Sequence, residues 1–235
     1  MSINYVGIRE PLKVILKEVE MVYEDQDHPM QIIDLGGAIN YDIDFFTNAT
    51  ADFEIETILL SNRRHNVDDE LGSLESELLK IYKNSILYRT SPLDINIELY
   101  RGWAGATGKL ITAFSPKGVN WINTKDVAKA CLISKQDVRA RAGKAYELTG
   151  PQLISMSRLR DILEEDLEMK IDLHCNSKQE VIATLMQNKM PLDVLTWLVE
   201  FQENSSSDLL QPATKTLEKI IGHPPSPAQL FKYKN

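Results

Sequence analysis

Short apolar runs and amphipathic stretches alternate along the first ninety residues, predicting a parallel β-sheet covered by helices. INYVGI (3–8) reads as a strand, and REPLKVILKEVE (9–20) as a helix with Leu12, Ile15, Leu16 and Val19 on one side. EMVYED (20–25) reads as the next strand. Residues 31–56 take the place of a crossover helix, although Gly36, Gly37 and several Asn and Asp residues weaken that pattern. TILLS (57–61) is an apolar strand followed by the loop NRRHN. In DDELGSLESELLKIYKNS (68–85), Leu71, Leu74, Leu78 and Ile81 recur at helical spacing, with acids in the first turn and Lys80 and Lys83 in the last. Those charges complement the helix dipole. ILYRTS (86–91) is a further strand.

Beyond INIELY the pattern becomes less regular. Gly102, Gly105 and Gly108 occupy a stretch read as a flexible connection, before KLITAF (109–114), a turn at SPKG and the strand VNWI (119–122). Thr124 is placed to cap the helix KDVAKACLISK (125–135), with Asp126 near the positive end of its dipole. KAYELT (144–149) alternates as a strand and is stopped by Gly150 and Pro151. Helices then dominate, over roughly residues 157–169, 178–188, 191–204 and 214–221. Gly222 closes the last, and Ser226 and Pro227 read as N-cap and first position of a final short helix. The reading is an α/β protein with an abridged Rossmann-like parallel sheet over residues 1–150 and a mainly helical C-terminal subdomain, 151–235, packed on it.

The 235 residues carry a formal charge of −8, which disfavours general binding to nucleic acid or to an anionic membrane. No apolar run reaches the length of a membrane span, and the first residues lack the layout of a signal peptide. The expectation is a cytoplasmic protein with no nucleic-acid or membrane partner. Cys131 and Cys175, without CxxC spacing, predict neither a disulfide framework nor a metal site.

VNWINTKDVAKACL, GKAYELTGP, SRLRDILEEDLEMKIDL and TLEKIIGHPPSPAQLF together resemble the NmrA-like group of atypical short-chain dehydrogenase/reductases. TILLSN, the helix after it and ILYRTSP match that family's fifth strand, following helix and sixth strand. The resemblance implies an NAD(P)-binding, oxidoreductase-like protein with a small-molecule ligand. It also makes INYVGI the family's third strand, so that two strand-helix units, on the order of 60 residues, are absent ahead of it. The glycine fingerprint that seats a pyrophosphate goes with them. The Gly102–Gly108 stretch does not replace it, because KLITAF is β-rich and reaches a turn within a few residues. Weak or lost dinucleotide binding is therefore expected.

Catalytic residues are not assigned, since none of the eight Tyr residues has Lys four places on. The resemblance places Ser61 toward the nicotinamide end, and Thr90 and Ser91 occupy a comparable strand terminus. Arg63, Arg64 and His65 form a small basic cluster in the loop after Ser61, suited to receive a phosphate. Each has an alternative, as a helix cap, turn residue or solvated loop charge. Trp121, Trp197 and Phe201 either line a pocket between sheet and helices or form core. The competing function is a non-catalytic ligand-binding or regulatory interaction protein on a degenerate scaffold. A sheet lacking two strands exposes an edge at VEMVY or INYVGI, predicting a homodimer unless INYVGI folds back to cover it.

Overall fold

The computed structural model describes residues 3–7, 10–20, 30–36, 43–48, 53–62, 70–187, 192–205 and 214–229. In chain order the first elements are β1 (Asn4–Val6), α1 (Glu10–Glu20), β2 (Met30–Asp34), α2 (Ile43–Asn48), β3 (Glu56–Ser61), α3 (Glu70–Ile81) and β4 (Ser85–Thr90). Then come α4 (Ile97–Thr107), β5 (Lys109–Thr112), α5 (Thr124–Ser134), α6 (Val138–Arg141) and β6 (Ala145–Leu148). The remainder is α7 (Met156–Leu167), β7 (Asp172–Cys175), α8 (Lys178–Met186), α9 (Leu192–Asn204) and α10 (Thr216–Ile221).

Five strands form one parallel sheet in the order β1-β2-β3-β4-β6. Helices cover both faces, so the central strands β2, β3 and β4 are buried along nearly their whole length rather than alternating with exposed residues. Successive side chains still divide between the faces. Ile32, Ile58, Leu60, Ile86 and Tyr88 pack with α1, α5 and α10, whereas Ile33, Leu59 and Leu87 pack with α2 and α3.

That division fixes an unusual topology. Every connection steps one place the same way along the sheet, yet α1 and α5 lie on one face and α2 and α3 on the other. The two pairs of crossovers therefore have opposite hands, and one pair departs from the strong right-handed preference. The order also runs without reversal.

Several sequence readings change. Gln31–Asp34, expected within a helix, belong to β2, because Met30, Ile32 and Ile33 are buried against both neighbouring layers. Of the expected strand at 20–25, Glu20 ends α1 and the rest lies outside the described residues. Gly102 and Gly105 are helical in α4, and Gly108 closes that helix with φ +67°, so this stretch is a regular helix and not a flexible connection. VNWI makes only isolated bridges, Val119 with Ile154 and Ile122 with Leu93. Asn123, not Thr124, caps α5, its side chain accepting from Lys125 N and Asp126 N. Residues 223–229 are not helical, because side chains of other elements hold that backbone. The parallel pair β5-β7 was not anticipated, since DLHC is too short and too mixed to read as a strand.

Residues 97–121 pack with the C-terminal half. Tyr100, Phe114, Trp121 and Phe201 form a chain of edge and tilted ring contacts, with centroids 5.7 to 6.2 Å apart. Trp121 and Phe201 are thus core; the side chain of Trp197 lies outside the described residues. Gln202 links Tyr100 Oη and Ala113 N across this cluster, and burial pushes the Tyr100 phenol well above its ordinary value.

Candidate functional site

A parallel sheet brings the carboxyl ends of all its strands to one rim, where ligands of open α/β sheets collect. Here that rim carries Gly7 after β1, Leu35 and Gly36 after β2, Ser61 and Asn62 at β3, Thr90 and Ser91 at β4, and Thr149 and Gly150 after β6. Crevices open wherever neighbouring strands send their loops to opposite faces. Two such places lie among the described strands: between β1 and β2, whose chains leave toward α1 and α2, and between β3 and β4, whose chains leave toward α3 and α5.

The first crevice is built by a strand-turn-helix. Gly7 has φ +65°, and a β-carbon there would lie 3.1 Å from Asp34 O and 3.2 Å from the Phe46 ring. Only glycine turns the chain this close to β2 without strain. Helix α1 then starts on Glu10. Opposite, Asp34 is buried and accepts from Gly36 N at 3.0 Å. Its negative charge reaches α5: the Cys131 thiol is pushed well up, by burial first and by the Asp34 carboxylate second.

At the second crevice the structure brings together three of the four residues expected to meet a cofactor. Thr90 Oγ1 donates to Ser61 O at 3.4 Å, and Ser91 N donates to Leu148 O at 2.9 Å. Ser61, Thr90 and Ser91 are 1%, 5% and 0% exposed, so their side chains form the floor of the rim. Arg63, with the neighbouring Arg64 and His65, lies outside the described residues. Arg89 faces inward to Glu75, its Nε and Nη2 donating to Oε2 at 3.0 and 2.8 Å, with Glu147 at 3.7 Å. Burial works against its charge, yet these carboxylates outweigh that and raise its pKa.

Tyr88, next along β4, faces the α5 layer and shares a hydrogen bond with Ser134 Oγ. Burial pushes its phenol up to about 12, and the bond to Ser134 only partly offsets this. A phenol so placed holds its proton at neutral pH.

Sequence reasoning missed Gly7 and Asp34. The signal was present in VGIREPL, a strand running through one glycine into a helix that begins Glu-Pro. Asp34 was hidden because its segment was read as helix.

No family model matches the chain. Among curated proteins it is similar to prestalk A differentiation protein A of Dictyostelium discoideum, 27% identical over 113 residues. That match spans 48% of the chain and 37% of the relative, so the chain covers well under half of that protein's length. Among solved structures it superposes on an NADPH-dependent quinone oxidoreductase of Escherichia coli complexed with NADPH, with a TM-score of 0.67 and 18% identity over 96% of both chains. NmrA, a negative transcriptional regulator in complex with NADP, gives a TM-score of 0.54 and 14% identity over 93% of this chain and 77% of that one. The fold is that of the NmrA-like atypical short-chain dehydrogenase/reductases.

Proposed function

We propose that this chain is a non-catalytic member of that fold group, a regulatory or ligand-binding protein whose rim has weak or no affinity for NAD(P). The observation that carries this reading is the state of the rim itself. Ser61, Thr90 and Ser91 are buried, with their side chains in the floor and their backbone groups bonded between strands. At the other crevice a single glycine, Gly7, replaces a three-glycine fingerprint, and the carboxylate of buried Asp34 stands opposite it, where a pyrophosphate needs positive potential. Negative charge beside an anion site costs affinity.

The structure neighbours include both an oxidoreductase and a transcriptional regulator, so the scaffold hosts either kind of work. The second kind fits this chain better, because none of the described rim residues is poised to donate a proton. Among the described residues no helix is long and apolar enough to cross a membrane. We further take the protein to be cytoplasmic, divided near residue 150 as the sequence suggests, and a homodimer through the outer edge of β1, which no described strand covers. Light scattering at micromolar concentrations tests the dimer, and a monomer mass refutes it.

The test of the functional reading is NADPH oxidation at 340 nm against a panel of quinones. No rate above the protein-free control is expected. Turnover that scales with protein concentration overturns the proposal.

A further inference from the structure

The N-terminus of α5 is unusual in how completely its amides are claimed. Asp94 Oδ1 accepts from Thr124 N at 3.0 Å and from Thr124 Oγ1 at 2.6 Å, while the Asn123 side chain accepts from Lys125 N and Asp126 N at 2.9 and 3.3 Å. The side chains of Asp94, Asn123 and Asp126 also clasp the C-terminal segment 223–229. Asp126 Oδ2 accepts from Ser226 N at 2.6 Å, and its Oδ1 lies 3.3 Å from Ser226 Oγ. Asn123 Nδ2 donates to Pro227 O at 3.2 Å, and Asp94 Oδ2 accepts from Gln229 N at 2.8 Å. Two buried carboxylates therefore hold a strap across the end of a helix, beside a small cavity lined by Ile15, Glu98, Lys125 and Gln229.

The strap reads His223-Pro224-Pro225-Ser226-Pro227. It has no regular secondary structure, Ser226 is only half-buried, and Pro224 and Pro227 are exposed. We propose that Ser226 is a phosphorylation site for a proline-directed protein kinase, and that the phosphate releases the strap from Asp126 and Asp94. In the transfer, Ser226 Oγ attacks the γ-phosphorus of ATP. The new O–P bond forms as the bond to the β-phosphate oxygen breaks; ADP leaves, and the hydroxyl proton passes to the kinase's base. Local opening of a short strap with no regular secondary structure gives the kinase access.

The sign of the effect follows from the surroundings. A phosphoserine carries close to two negative charges. At this position it meets Asp126, 1% exposed and 3.3 Å from Ser226 Oγ, with Asp94 next along the clasp and Glu98 on the cavity wall. Phosphates are welcome at helix N-termini when free amides receive them, but here Asn123 and Asp94 hold those amides already. Of the nearby cations, Lys129 lies 3.9 Å from Asp126 and Lys125 is paired with Glu18 at 3.9 Å. Both are partly exposed and so offset little of the repulsion.

The experiment treats the full chain with a proline-directed kinase and ATP-Mg, maps the phosphate by mass spectrometry and follows amide hydrogen exchange over 223–229. Phosphate on Ser226, absent in Ser226→Ala, should speed exchange in that segment by about tenfold or more while exchange in the β-sheet stays unchanged. Asp126→Asn should shrink that acceleration, since it removes the opposing charge and keeps an acceptor. A kinase that modifies a peptide of residues 220–231 but not the chain refutes the proposal. Phosphoserine at 226 with unchanged strap exchange refutes it equally.

Discussion

The two ends of α5 and α1 point to the same rim, yet they are built on opposite terms. At α5 the helix start, the β4 loop and the C-terminal strap are tied by Asp94, Asn123 and Asp126, each making bonds that cross between elements. At α1 the unit is positioned by apolar burial on the sheet face, through Leu12, Ile15, Leu16 and Val19, and by one glycine turn. The difference teaches where specificity resides. A polar clasp admits one geometry, whereas an apolar face accepts any arrangement that buries it.

Three glycines break or sharpen this comparison. Gly150 passes so close beneath Trp121 that a β-carbon would lie 1.8 Å from Trp121 O, a contact with backbone that cannot move without displacing the clasp. Gly150→Ala should cost about 3 kcal/mol or more, measured by urea denaturation. Gly7→Ala meets Asp34 O at 3.1 Å at a positive φ and should cost about 1 to 2 kcal/mol. If Gly7→Ala proves the worse of the two, the N-terminal unit is the more rigidly specified and the comparison fails. Gly102 has nothing within 4 Å and lies inside α4, so Gly102→Ala should stabilise by about 0.5 to 1 kcal/mol. A loss there would mean that this helix needs its glycine for something other than conformation.

Ranked between the first two glycines is Asp94→Ala, which strands the two Thr124 donors in a buried site, releases Gln229 N, and should cost about 2 kcal/mol by the same measurement. Stability unchanged within error would show that the clasp is decorative. Tyr88 supplies a pH test of the layer beneath. Its folded pKa is about 12 against 10.0 for the free phenol, so the folded protein holds a proton that the unfolded chain releases. That contribution is fully present below pH 10 and is lost as pH rises through 12, on the order of 3 kcal/mol in all. Tyr88→Phe should flatten the alkaline limb of the stability curve.

The C-terminal half was the more legible from sequence because its helices announce themselves through side-chain caps. Ser155 and Ser177 begin α7 and α8, the latter with a capping box to Glu180, and Gly222 ends α10 in the left-handed conformation. Asp126 was expected only to complement a helix dipole; its bonds to Ser226 depend on a partner 100 residues away and leave no local trace. The amphipathic helix α1 was read correctly, whereas β2 was not. MQIID is a fully buried strand without alternation, and its period does not distinguish it from a helix turn. For the rim, strand ends at Ser61 and Thr90 were readable from composition. Their burial was not, since it depends on how the loops leave for opposite faces.

The central claim is that the rim, although framed by a fold that seats NADP elsewhere, offers a dinucleotide no usable anion site among its described residues. Calorimetric titration of the intact chain with NADPH and with NADH tests it most directly. The account predicts no saturable heat below about millimolar nucleotide, the range in which nonspecific contacts begin. A dissociation constant in the micromolar range for either nucleotide contradicts it.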